Sequence, residues 1–245
     1  MYASGGLYRD DYSPEHLWEE ARSYRQRGFT AMKMKVAGVS RAEDLQRLDA
    51  ARNGIGHDAG LWVDAVNQLS VASAKEFWKQ LELYSVGAMQ SPLPAADVAG
   101  LSQLNAFGVP VIASEAEYRH SELHRLLEAK AVTHLQFCLP LCGGFSGAVL
   151  LDSRAAASGV NTTPQCFSTV FAQAATLHFA AARPNVVSAE YHCFHDHLKD
   201  LFIGSAGTIQ DGYAHAGEAP GLGVKIPSLG VQADGSVITR VAEAS

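Results

Sequence analysis

Apolar positions along the chain follow two alternating spacings. Short apolar or β-branched runs recur, each followed by an amphipathic stretch of about 11 to 17 residues. Ser13-Pro14 predicts a helix start, with serine as N-cap and proline at the first helical position. Leu17, Ala21 and Tyr24 follow at helical spacing, and Gly28 closes the element. Residues 31–35 read as a strand. Ser40-Arg41-Ala42-Glu43 is a capping box for a helix that turns Leu45 and Leu48 inward. Residues 61–64 form the next strand, and Ala74, Phe77 and Leu81 mark the next helix face. Further strands are predicted over 86–90, 109–113, 133–138, 160–163 and 186–190, with helical patterns between them, the clearest over 168–182.

Strand–helix units repeating about every 25 to 30 residues imply parallel strands joined by helical crossovers. A doubly wound open sheet and a closed barrel both fit. The open sheet usually carries a glycine-rich phosphate loop early in the chain. Here the tight glycine pairs are Gly5-Gly6 and Gly143-Gly144, the latter after the sixth strand, so an α/β barrel of TIM type is expected. The length of 245 residues suits one such barrel. From residue 204 glycine, proline and short β-type segments take over, including Ala219-Pro220-Gly221-Leu222-Gly223. The expected organisation is a barrel over 1–203 and a C-terminal extension of the same domain over 204–245.

Composition narrows the function classes. With 47% hydrophobic and 18% charged residues the chain can bury a core. Nineteen Lys and Arg against 25 Asp and Glu leave no electrostatic footprint for nucleic acid. No apolar run approaches the ~20 residues of a membrane span, and Met1-Tyr2-Ala3-Ser4-Gly5-Gly6 lacks the basic and apolar parts of a signal peptide. Four cysteines in this length are not a disulfide scaffold. A cytoplasmic, soluble protein with neither nucleic-acid nor membrane partners is expected.

In such barrels chemistry sits at the C-terminal ends of the strands. The second strand ends in Lys33-Met34-Lys35, the third in Asp64 with Asn67 beyond, the fourth in Gln90, and the fifth in Glu115. The sixth ends near Cys138, the seventh near Gln165 and the eighth near Glu190. Lys33 and Lys35 point to the same side of their strand. Mutual repulsion and a dry barrel mouth would lower a lysine pKa and make a general base; a solvated surface pair is the other reading. Asp64, Gln90 and Glu115 offer oxygen ligands on successive strands, suited to a hard cation, or are unrelated polar caps.

Together these residues resemble the barrel domain of the enolase superfamily, in its mandelate racemase/muconate lactonizing enzyme group. The resemblance runs through the Tyr2–Gly6 opening, Lys33-Met34-Lys35, Val63-Asp64-Ala65 with Asn67-Gln68, Gln90-Ser91-Pro92-Leu93-Pro94, Ser114-Glu115 and Cys142-Gly143-Gly144. It continues at Leu177-His178-Phe179, Ala189-Glu190-Tyr191 and Pro220-Gly221-Leu222-Gly223-Val224. It implies a (β/α)7β barrel and a magnesium ion held by Asp64, Gln90 and Glu115. The implied chemistry is removal of a proton next to a carboxylate, as in acid-sugar dehydratases, racemases and epimerases. Lys35 would be the base, Lys33 would help neutralise a small carboxylate substrate such as an acid sugar, and Glu190 would bond its far side. Asn67, Cys138 and Gln165 would belong to the site wall.

Three positions depart from the family pattern. Gln90 stands where the family has Glu, which brings no negative charge to a metal. Cys138 and Gln165 replace an Asp and a His that form the second acid/base pair of racemases in this group. One-base chemistry on the Lys35 face, such as a syn elimination of water, is left, and so is a degenerate, non-catalytic barrel. His192-Cys193-Phe194-His195-Asp196-His197 reads as an exposed loop, a soft-metal site or a source of a replacement acid. Family members also carry an N-terminal capping domain on the order of 100 residues, so a homo-oligomer or a separate capping chain is expected to close the mouth.

Overall fold

The computed structural model describes residues 1–167, 169–196, 209–217, 219–225, 228–231 and 237–240. The strands β1 (Tyr2–Gly5), β2 (Ala31–Lys35), β3 (Gly60–Asp64) and β4 (Val86–Gln90) alternate with helices α1 (Pro14–Gln26), α2 (Arg41–Ile55) and α3 (Val71–Leu81). Next come α4 (Val98–Phe107), β5 (Val111–Ala113), α5 (His120–Glu128), β6 (His134–Leu135), α6 (Gly144–Ala157), β7 (Asn161–Thr162), α7 (Val170–Ala182) and β8 (Glu190–His192). Among the described residues these eight strands form one parallel sheet ordered β7-β6-β5-β4-β3-β2-β1-β8. Backbone bonds from Val187 N to Thr162 O and from Glu190 N to Pro164 O, both 3.1 Å, join the two ends. The architecture is a (β/α)7β barrel.

Local chemistry explains the elements. Ser13 and Ser40 close reciprocal capping boxes at the starts of α1 and α2, and Thr169 caps α7. Gly28 takes φ +91°, and a Cβ there would come within 2.8 Å of Ile209 O, so the turn into β2 requires glycine. On β2, Met32 and Met34 are fully buried in the core, which leaves Lys33 and Lys35 together on the opposite face.

The N-terminal ends of the strands are tied by buried polar groups. Arg52 donates to the carbonyls of Gly56, Ala59, Tyr84 and Ser85, joining two loops. Asp152, fully buried, accepts from Thr162 Oγ1 at 2.5 Å and Arg183 Nε at 2.7 Å. Stability residues lie at this end and the candidate chemistry at the other.

β5 and β7 are each two residues shorter than expected, and two further strands differ more from the sequence expectation. The sixth is regular only at His134–Leu135, and the rest of 133–138 continues as single bonds and a Cys138–Gln165 bridge. The eighth begins where it was expected to end. Val186 and Val187 only brush Thr162, and the ladder with β1 runs from Glu190 to His192. Beyond the barrel, β9 (Ile209–Gln210) pairs with β10 (Tyr213–Ala214), and β11 (Ser228–Val231) with β12 (Val237–Arg240), both antiparallel. The domain division expected at 203/204, and His197, lie outside the described residues. Among the described residues no helix is long and apolar enough to cross a membrane.

Candidate active site

Strand register builds the site. Lys35, Asp64 and Gln90 are direct neighbours across β2, β3 and β4. Asp64 is fully buried, and its Oδ2 accepts from Lys35 Nζ at 2.5 Å, Gln90 Nε2 at 3.1 Å and Lys33 Nζ at 3.2 Å. Its Oδ1 accepts from Val66 N at 3.0 Å. Lys33 Nζ also lies 2.8 Å from Glu190 Oε1 and donates to Gln90 Oε1 at 3.1 Å. The other Glu190 oxygen accepts from Cys166 N at 3.0 Å. Glu115, beyond β5, accepts from the Ser91 hydroxyl at 2.8 Å. Gln136 donates to the Tyr2 hydroxyl at 3.2 Å and to Gln90 Oε1 at 3.4 Å.

These groups surround a cavity of about 200 Å³ lined by Lys33, Lys35, Asp64, Gln90, Glu115, Gln165, Phe167, Glu190 and His192. A larger groove of about 650 Å³ runs beside α1 and α2, but its charged side chains are Glu15 and Asp49 alone, with no cation or nucleophile. The smaller cavity is the one that gathers the strand-end residues. Seven of the nine residues singled out in the sequence line it. Asn67 lies in a left-handed turn after β3, its amide bonded to Ser91 O, and is not part of the lining. Cys138 is buried beside the wall without lining it. Phe167 and Gln136 were missed; both depend on contacts between distant strands.

The electrostatics correct one expectation. Burial opposes the Lys33 charge, but Glu190 and Asp64 outweigh it and push its pKa well up, not down. The partner shows the same balance: burial would raise Glu190, but Lys33 and Ser4 hold it at about 2. Glu115 is pushed up by burial and by the Asp64 charge. His192 is pushed down to about 4, chiefly by burial. Burial also raises Cys138, which keeps it a thiol.

The donor set fits a hard divalent cation. Two carboxylates and an amide oxygen share one cavity, and the resistance of Glu115 to ionising beside Asp64 is the repulsion a cation relieves. Among the described residues no three His, Cys, Asp or Glu side chains form a metal group.

Known proteins agree with this geometry. Residues 16–228 match the family described as Enolase C-terminal domain-like. The arabinonate dehydratase of Saccharolobus solfataricus is 29% identical over 92% of this chain and 60% of its own. The L-Ala-D/L-Glu epimerase of Bacillus subtilis is 27% identical over 91% of this chain and 64% of its own. The crystal structure of the 3,6-anhydro-D-galactonate cycloisomerase of Zobellia galactanivorans superposes with a TM-score of 0.83 at 27% identity, over 92% of this chain and 62% of that one. A racemase from Streptomyces coelicolor, 23% identical with a TM-score of 0.81 over 92% of this chain and 60% of its own, shares the fold and holds bound magnesium. The chain spans about 60% of the length of the curated relatives it matches. Barrel, strand-end site and matched residues converge, and the chain belongs to the enolase C-terminal domain-like family, among proteins of the mandelate racemase/muconate lactonizing enzyme type.

Proposed function

We propose that this protein removes a proton next to the carboxylate of a small acid, with an acid-sugar dehydration as the reaction it fits best. The observation that carries this is Lys35. It stands at the end of β2 on the wall of a cavity built from charged and amide groups, its side chain 22% exposed while Asp64 beneath it is fully buried. Lys35 is the base. Lys33, almost fully enclosed, sets the positive potential that draws a carboxylate in. Glu190 holds Lys33 in place and presents an acceptor to the substrate's far side.

Asp64 and Glu115, with the amide oxygen of Gln90, would hold magnesium, and the cytoplasm, where it is abundant, is the setting proposed. Bound there, the ion supplies Lewis-acid stabilisation of negative charge on the substrate carboxylate. Gln90 contributes no charge, so binding is expected to be weaker than at three carboxylates.

The test is α-deuterium incorporation into a panel of hydroxy acids in deuterated water with magnesium chloride. Exchange that Lys35→Ala lowers about a hundredfold or more supports the reading. A second reading, a barrel that retains the pocket without the reaction, is favoured by the non-titrating Gln165 and the protonated Cys138; absence of exchange across the whole panel would select it.

A further inference from the structure

The run over 192–197 is the sequence motif that the proposed reaction leaves unused, and the structure brings its first histidine into the site. Glu190 and His192 lie two apart on β8, so both side chains face the barrel interior, and both line the cavity with Lys33 and Lys35. Ser4 on β1 pairs with His192 on one side and with Lys33 on the other. Lys35 is the next inward position above Lys33. His192 and Lys35 therefore flank the same arc of the mouth, with only β1 between their strands.

The imidazole is held in a defined orientation. It is 4% exposed, meets the Phe167 ring edge-to-face at 4.5 Å, and stacks on His195 at 4.9 Å and 29°. Phe167 comes from the loop after β7, two residues beyond Gln165, so the segment with the non-titrating side chain also positions the titrating one.

We propose that His192 is a second proton-transfer residue of this site, taking the α-proton of the bound carboxylate in the place of the group that Gln165 cannot supply. This rests on the preceding reading that a carboxylate occupies the cavity. In the step the imidazole nitrogen forms an N–H bond as the α C–H bond breaks. The electron pair moves into the carboxylate as an enediolate, and return of a proton or solvent deuteron to carbon restores the imidazole.

Among the described residues, the charged and titratable groups acting on His192 are Glu190 on its own strand, Lys33 and Lys35 from β2, and His195 from the turn that follows. Burial and the three cationic or basic neighbours favour the neutral imidazole, and Glu190 opposes them, leaving it at about 4. A neutral imidazole at pH 7 is a proton acceptor.

Two readouts test the proposal. Imidazole resonances of the wild-type protein are titrated with malonate in magnesium chloride, with His192 assigned through His192→Asn. The expected result is a shifted His192 resonance whose apparent pKa rises by about one unit or more, because an added anion favours the charged form. A resonance that malonate leaves unmoved overturns the proposal. In the second readout, Lys35→Met is expected to retain exchange on at least one hydroxy acid, with the rate falling toward acid pH. Adding His192→Asn should lower that rate about a hundredfold or more, the low end of general-base contributions. Equal rates in the single and double variants overturn it. Wild-type exchange that His192→Asn leaves unchanged overturns this assignment alone, whereas a wild type inert toward the whole panel overturns the reaction as well.

Discussion

Replacing Lys33 with methionine keeps most of the side-chain stem and deletes the charge, leaving the Glu190 carboxylate buried without its nearest cation. The magnitude follows from Glu190 itself. Its ordinary value of 4.5 is brought to about 2, although burial acts the other way, because Lys33 and Ser4 more than reverse it. At about 1.4 kcal/mol per pH unit, that displacement is worth about 3 kcal/mol. Breaking a buried pair from one side costs about 3 to 5 kcal/mol, since it strands the other charge. Lys33→Met is therefore expected to lose about 3 kcal/mol of unfolding free energy at pH 7, measured by urea titration in EDTA so that no divalent ion contributes.

The pH dependence carries a sign that a packing defect would not. In the wild type the folded carboxyl titrates below the unfolded one. Its contribution is complete above the unfolded value, ~4.3, and is lost as pH falls toward about 2. In Lys33→Met the Ser4 hydroxyl and the Cys166 amide remain but the largest opposing group is gone, so the folded carboxyl is expected to titrate above the unfolded one and the deficit to shrink as pH drops from 7 to 5. Adding Glu190→Gln should restore at least half of the loss. A loss under about 1 kcal/mol, the level of an exposed pair, or a deficit that is constant with pH, would refute the reasoning.

Other perturbations separate the two ends of the barrel. Gln90→Glu adds a third carboxylate and should tighten magnesium binding by about tenfold or more in calorimetry, about 1.4 kcal/mol; unchanged affinity removes position 90 from the ligand set. Asp152→Ala strands Arg183 and loosens Thr162 and Asn185. It should cost about 2 to 4 kcal/mol in urea melts while leaving magnesium affinity as it was, and a melt matching the wild type would show that this buried network is dispensable. Cys138 and Cys142 are buried, and burial raises both thiols, Cys142 to about 11. Iodoacetamide at pH 7 should therefore label neither in the native protein and both in urea; rapid native labelling would show that the wall beside β6 opens.

What the sequence made legible was local or periodic. Ser13 announces its helix through Pro14 at the next position, and Ser40 through its partner Glu43 three residues on. Lys35, Asp64 and Gln90 could be placed together because period 2 fixes a side chain's face and one βα unit separates each strand from the next. The Lys33 charge state was not legible. Lys35 stands two residues away, whereas Asp64 and Glu190 reach Lys33 only when the barrel closes. His192 was legible as a source of a replacement acid but its face was not: ended at Glu190, β8 gives no face to the histidine, and extended to 192 it turns both inward.

That extension exposes a division between two layers of charge. Lys33 and Glu190 form the lower layer, nearly sealed, with side chains 3% and 1% exposed. Lys35 lies one inward position above Lys33 and reaches solvent, and His192, level with Lys33 through Ser4, lines the same cavity. A buried ion pair with its hydrogen bonds satisfied is costly to break from one side and gains little from further partners, so the lower layer acts mainly on stability and on the potential above it. Lys35 and His192 are placed to take a proton from a ligand that Lys33 and Glu190 orient. Lys33→Met should therefore register first in the urea melt, whereas Lys35→Met and His192→Asn should register first in proton exchange.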